Sequence, residues 1–116
     1  MQAVSIYHPL SHYVWGNGCD GWNLVANESL SIKQEKMPPG TDEERHYHQR
    51  AQQFFYILSG TATFEMDGEI LPLKSGEGLH VPAGKTHKII NQSVEDLQFL
   101  LCSQPSTSND RINEND

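Results

Sequence analysis

Residues 40–60 read GTDEERHYHQRAQQFFYILSG, and this stretch decides what the rest of the chain builds. Side chains on a strand alternate between its two faces, so residues two apart point the same way. An extended segment therefore projects His46 and His48 into one space, about 7 Å apart along the chain. Tyr47 between them faces away. Gln53 returns toward the same space from the strand that follows. Phe54–Leu58 is apolar at both parities, the pattern of a strand buried on two sides, and Gly60 closes it.

Working outward, Thr61–Met66 (TATFEM) alternates, and Asp67-Gly68 before Ile70–Leu73 predicts a hairpin with a type I′ turn. Pro72 places the return strand at an edge or bulge. Short strands follow at Leu79–Val81, Thr86–Asn91 and Leu97–Leu101, separated by Gly- and Pro-containing turns. Upstream, NLVANESLSIKQEKM (23–37) alternates as strands with one wet face, and Pro38-Pro39-Gly40 ends it. Residues 1–23 read as an irregular lead-in with one short edge strand around Val4–Tyr7. His8 and His12 in that lead-in are expected at the surface. Many short strands with close turn signals and no helical period predict an all-β sandwich or barrel. The expected organisation is one domain over residues 1–103 and a polar, flexible tail over residues 104–116, QPSTSNDRINEND.

A second stretch, Gly76–Asn91 (GEGLHVPAGKTHKIIN), repeats the logic of the first. Pro82 and Gly84 define a turn, and His87 follows three residues later with a fixed direction. Together the two stretches resemble the motifs of the cupin superfamily. The first gives Gly40, His46, His48, Gln53 and Gly60 at the family spacing, and the second gives Gly76, Pro82, Gly84, His87 and Asn91. The resemblance covers residues 40–91 and is to small, single-domain, mannose-6-phosphate-isomerase-like members. It implies a double-stranded β-helix, or jelly-roll barrel, with a divalent metal inside. Carried over position by position, the ligands are His46, His48 and His87, with Gln53 as a fourth donor through its side-chain oxygen. The family has glutamate where this chain has Gln53. Three imidazoles and a neutral amide leave the ion more of its charge, which weakens binding and strengthens polarisation of whatever oxygen sits beside it. Such a donor set suits Zn, Fe, Ni, Co, Cu or Mn without choosing among them.

The formal charge of −7 argues against a nucleic-acid partner and against an anionic membrane surface. No apolar run is long enough for a transmembrane helix, and the first residues lack the blocks of a signal peptide, so a cytoplasmic protein is expected. Cys19 and Cys102 are expected as free thiols of a reducing compartment, Cys102 buried and Cys19 exposed among turn residues. No organic cofactor is implied. Arg45, Arg50, Lys85 and Lys88 flank the histidine motifs and read either as a solvated rim or as a mouth that favours an anionic ligand. His80, one strand before His87, either lines the cavity, where it is the candidate for proton transfer in catalysis, or faces outward, according to the parity of its strand.

The expected function is a metal-dependent enzyme of dioxygenase, isomerase or decarboxylase type acting on a small anionic or enolisable molecule. The alternative is a non-catalytic sensor module that holds a small ligand or the metal. A homodimer is expected, with Trp15 and Trp22 at an interface or plugging one barrel end.

Overall fold

Alternating polarity along the chain becomes eleven strands, and there is no helix among the residues, 1–114, that the computed structural model describes. In order they are β1 (Ser11–Trp15), β2 (Cys19–Ala26), β3 (Ser31–Met37), β4 (His46–His48), β5 (Gln52–Ser59) and β6 (Thr61–Met66). The chain continues with β7 (Glu69–Lys74), β8 (Gly78–Val81), β9 (His87–Ile90), β10 (Leu97–Gln104) and β11 (Arg111–Asn113). They form two antiparallel sheets, one ordered β1-β2-β3-β10-β5-β8 and the other β11-β4-β9-β6-β7. This is the all-β jelly roll that the motifs imply.

Inward side chains of the two sheets meet in one core. Phe55 and Ile57 of β5, Phe99 of β10 and Met37 of β3 are buried against Phe64 of β6 and Ile89 of β9. The Phe55 and Phe64 rings meet edge to face at 4.9 Å. Each such side chain contributes roughly 1.5–3 kcal/mol of burial.

Strand register arranges the inward positions in rows. Leu97 lies opposite Met37, Phe99 opposite Glu35 and Ile57, and Leu101 opposite Lys33 and Phe55. The last row holds Ser103, Ser31 and Gln53. Inward residues thus change from apolar to polar toward one end of the barrel. The apolar end stabilises the fold, and the polar end is available for chemistry.

The hairpin at Asp67-Gly68 forms with both residues at positive φ, 50° and 83°, and Pro72 lies on the edge strand β7. Other expectations change. The lead-in carries the β1–β2 hairpin, whereas Val4–Tyr7 contributes only an isolated bridge from Ser5 to His8. Cys19 is fully buried and Cys102 half-buried; both are free thiols. β5 is not covered on both faces: Phe55 and Ile57 face the core, whereas Phe54, Tyr56 and Leu58 are 43%, 37% and 38% exposed.

The polar C-terminal segment is docked over its described residues. β11 pairs with β4, and the carboxylate of Asp110, 1% exposed, accepts the amides of Arg50 at 3.0 Å and Ala51 at 2.9 Å. A segment whose isoleucine, Ile112, stays exposed can still be held by saturating buried amide donors. Residues 115 and 116 of the expected tail lie outside the described residues.

Candidate metal centre

Alternation on β4 sends His46 and His48 inward, and the β4–β9 register places His87 directly opposite His46. His46 Nδ1 lies 2.8 Å from the Glu44 carbonyl, and His87 Nδ1 lies 2.8 Å from the Lys85 carbonyl. A carbonyl only accepts, so each Nδ1 carries the proton and each Nε2 presents a lone pair. The His87 ring stacks on Phe64 at 5.9 Å and meets Phe55 edge-on at 5.9 Å, which sets its plane. One ligand atom from each of His46, His48 and His87 falls in a cluster whose members all lie within 4.8 Å of one another.

Burial, and secondarily the neighbouring His87, lowers the pKa of His46 to about 3 and that of His48 to about 4. Burial also lowers that of His87. All three rings are neutral at ordinary pH, the form that binds metals.

Gln53 is 4% exposed on β5, and its Nε2 donates to Ser103 Oγ at 3.0 Å. That bond turns Oε1 into the free end of the amide. Gln53 Oε1 and His87 Nε2 are both buried without a hydrogen-bond partner. Leaving such an atom unsatisfied costs roughly 1–3 kcal/mol, and a cation is the partner that lone pairs on neutral N and O donors accept. The residues present therefore fit a divalent ion of the kind the motifs imply.

His46, His48 and Gln53 line a chamber of about 240 Å³. Two cations that sequence reasoning missed, Lys33 and Arg111, line it too, as do Glu35 and Glu43. Tyr13 reaches Glu35 across Gly21 and donates to its carboxylate at 2.5 Å. A Cβ on Gly21 would stand 2.1 Å from the Tyr13 ring, so only glycine admits this contact. Burial raises the pKa of Glu35. Burial, and then the charge of Glu35, raises that of Glu43 to about 8. Glu43 Oε1 accepts the amide of Ile89 at 3.1 Å. Trp15, Phe55 and Leu101 supply the apolar wall.

Other expected site residues lie elsewhere. His80 is on the outer face of β8, exposed, with Nε2 2.9 Å from Gln52 Oε1. Its parity is fixed by pairing with Phe54, which also points outward, so His80 is not brought to the histidine cluster. The cations flanking the motifs are largely engaged in ion pairs: Arg45 with Glu65 at 2.9 Å, Lys85 with Asp67 at 3.0 Å, and Lys88 with Asp42 at 3.6 Å. Arg50 Nε lies 3.5 Å from Asp110. Asn91 is structural: its Nδ2 donates to the carbonyls of Met37 and Glu95, each at 2.8 Å.

Comparison with known proteins places these features in a wider set. Residues 33–103 match the family described as "Cupin domain". Over 74 residues the chain is 32% identical to an oxalate-binding protein of Thermotoga maritima, covering 64% of this chain and 61% of that one. Over 50 residues it is 40% identical to quercetin 2,3-dioxygenase of Bacillus subtilis, covering 43% of this chain and 15% of that enzyme. In both cases the match spans less than two thirds of the relative's length. The crystal structure of an RmlC-like cupin from Shewanella frigidimarina superimposes with a TM-score of 0.81. It covers 94% of this chain and 96% of that one at 20% identity, a likeness of fold alone.

Proposed function

The chain belongs to the cupin domain family, and from that premise we propose that it binds one divalent transition-metal ion through His46, His48 and His87, with Gln53 Oε1 as a fourth donor. We further propose that the loaded chamber takes a small organic anion and converts it, in an oxidative or isomerising reaction. The observation that carries this reading is the convergence of three neutral imidazoles with three partnerless buried atoms, His48 Nδ1, Gln53 Oε1 and His87 Nε2, beside two chamber cations.

The ion supplies Lewis-acid polarisation of a carbonyl or enolate oxygen. Lys33 and Arg111 attract the anion and hold its carboxylate. Trp15, Phe55 and Leu101 exclude water from the reacting end, which strengthens those charge interactions. Glu43 takes the role that His80 cannot fill. With its pKa raised to about 8, its carboxyl holds a proton near neutrality and gives it up at little cost. The amide of Ile89 holds Oε1, which leaves Oε2 as the oxygen that carries the proton.

Two further parts of this reading concern setting. The apolar outer stripe Phe54, Tyr56 and Leu58 on β5 is assigned to a second copy of the chain, since a strand this apolar on both faces fits a covered position. The free thiols Cys19 and Cys102 fit a reducing compartment such as the cytoplasm.

The test is elemental analysis of the purified protein, followed by calorimetric titration of the loaded form with oxalate and with an enolic acid. About one ion per chain and saturable anion binding are expected. Oxygen uptake with the enolic acid separates the oxidative branch from the isomerising one. A protein that takes up no divalent ion defeats the reading.

A further inference from the structure

The chamber is not the largest hollow of this molecule. A cleft of about 680 Å³ lies between the end of the β2–β3 hairpin and the loop 105–108. Lys33 and Thr107 line both spaces, so the cleft lies against the chamber with these two residues at the boundary. The far side is closed by the amide of Ser106, which donates to the Glu28 carbonyl at 3.0 Å.

Volume and chemistry together specify an occupant. At about 240 Å³ the chamber falls below the ~300–1,000 Å³ usual for organic ligands, whereas the neighbouring cleft, at about 680 Å³, lies within that range. The cleft wall carries amides and hydroxyls: Asn23 Nδ2, Asn27 Oδ1 and the Ser106 and Ser108 hydroxyls are bonded locally, which leaves Asn23 Oδ1, Asn27 Nδ2 and the Thr107 hydroxyl to meet a ligand. Its charges nearly cancel. Arg50 is turned to Asp110 Oδ1 at 3.5 Å and to the Ser108 carbonyl at 3.5 Å, and Glu28 stands on the same wall. That leaves Lys33, at the junction, as the cation that meets an anion. Such a wall matches a row of neutral hydroxyl groups better than a second carboxylate or a phosphate.

We propose that the ligand of this protein is an extended polyhydroxy acid. Its carboxylate enters the chamber past Lys33, and its hydroxylated chain lies in the cleft between the β2–β3 hairpin and residues 105–108. This rests on the anion-binding reading above and adds the substrate class. A two-carbon diacid would leave the larger space unfilled.

The test uses the full metal-loaded chain and calorimetric titration with gluconate, glucuronate, 6-phosphogluconate and oxalate. Ala26 is an exposed cleft residue at the end of β2, so Ala26→Trp fills the cleft and spares the chamber. Gluconate or glucuronate is expected to bind at least about tenfold more tightly than oxalate. Ala26→Trp is expected to remove that advantage and leave oxalate affinity unchanged, and Lys33→Met to weaken both classes. Oxalate binding equal to or tighter than the sugar acids overturns the proposal while leaving the anion-binding reading intact, as does a sugar acid indifferent to Ala26→Trp. Clearly tighter binding of 6-phosphogluconate than of gluconate overturns the neutral-cleft argument. Failure of every anion overturns both readings.

Discussion

Asp110 Oδ2 lies 4.0 Å from His48 Nδ1, with both side chains buried, so the C-terminal segment sets a carboxylate beside an imidazole of the candidate metal centre without hydrogen-bonding to it. Burial alone would raise the Asp110 pKa. The hydrogen bonds from Ala51 and Arg50 outweigh burial and hold it low, which keeps a negative charge beside His48. At that separation the carboxylate acts through its charge, which favours a positive ion at the imidazole cluster. Asp110→Asn is expected to weaken metal binding about tenfold, and loss of the amide acceptors to lower stability by about 1–3 kcal/mol. Metal titration and denaturant unfolding check the two effects separately.

Replacing a ligand tests the centre directly. His48→Ala and His87→Ala are expected to abolish stoichiometric metal, since each removes one of three converging nitrogens. Gln53→Glu is expected to tighten binding at least about tenfold, because a carboxylate replaces an amide oxygen and Ser103 Oγ remains to hold it. Equal metal content in the native protein and both His→Ala variants would remove the assignment.

Acid and base act on the ion-free protein in opposite ways. His46 and His48 have folded pKa values of about 3 and about 4, below the usual 6.5. Their stabilisation is complete above pH 6.5 and is lost as pH falls toward 4, because only the unfolded chain takes up the proton. Glu43 has the reverse sign. Its folded value of about 8 stands above the usual 4.5, so its contribution is present at low pH and lost as pH rises toward 8. Glu43→Gln is therefore expected to stabilise the ion-free protein by several kcal/mol, about 4, at pH 8 and by less than about 1 kcal/mol at pH 5. Melting curves of both proteins across this range decide the matter; parallel curves would remove the raised pKa.

His80 offers a control. It faces outward and contacts Gln52, so His80→Ala is expected to leave metal content and anion affinity within about twofold of the native protein. A larger loss would place this side chain in the chamber after all.

The exposed stripe on β5 predicts association. Sedimentation velocity at micromolar concentration is expected to show a dimer that Phe54→Lys combined with Tyr56→Lys converts to a monomer. These rings lie 6.2 Å apart on the outer face, so the double change leaves the core intact. A native protein that sediments as a monomer sinks the assignment.

The candidate metal-site residues are legible in the sequence because local rules suffice for them. A period of two puts His46 and His48 on one face, and the Pro82-Gly84 turn aims His87 at them. Both devices act within a few residues of the ligand. The rest depends on pairings between distant segments. Lys33 and Glu35 face the chamber only because β3 pairs with β2 and β10 in one register; the β2–β3 ladder contains an irregularity between Asn23 and Val25, whereas the β3–β10 ladder runs without one. One residue of slip would turn every such side chain to the other face. The same long-range register sends His80 outward and brings Asp110 beside His48, a residue 62 positions away in the chain. Sequence alone therefore determined which atoms are able to bind an ion. Tertiary pairing decided which charges surround it, because side-chain parity on a strand is set by the neighbours across the sheet.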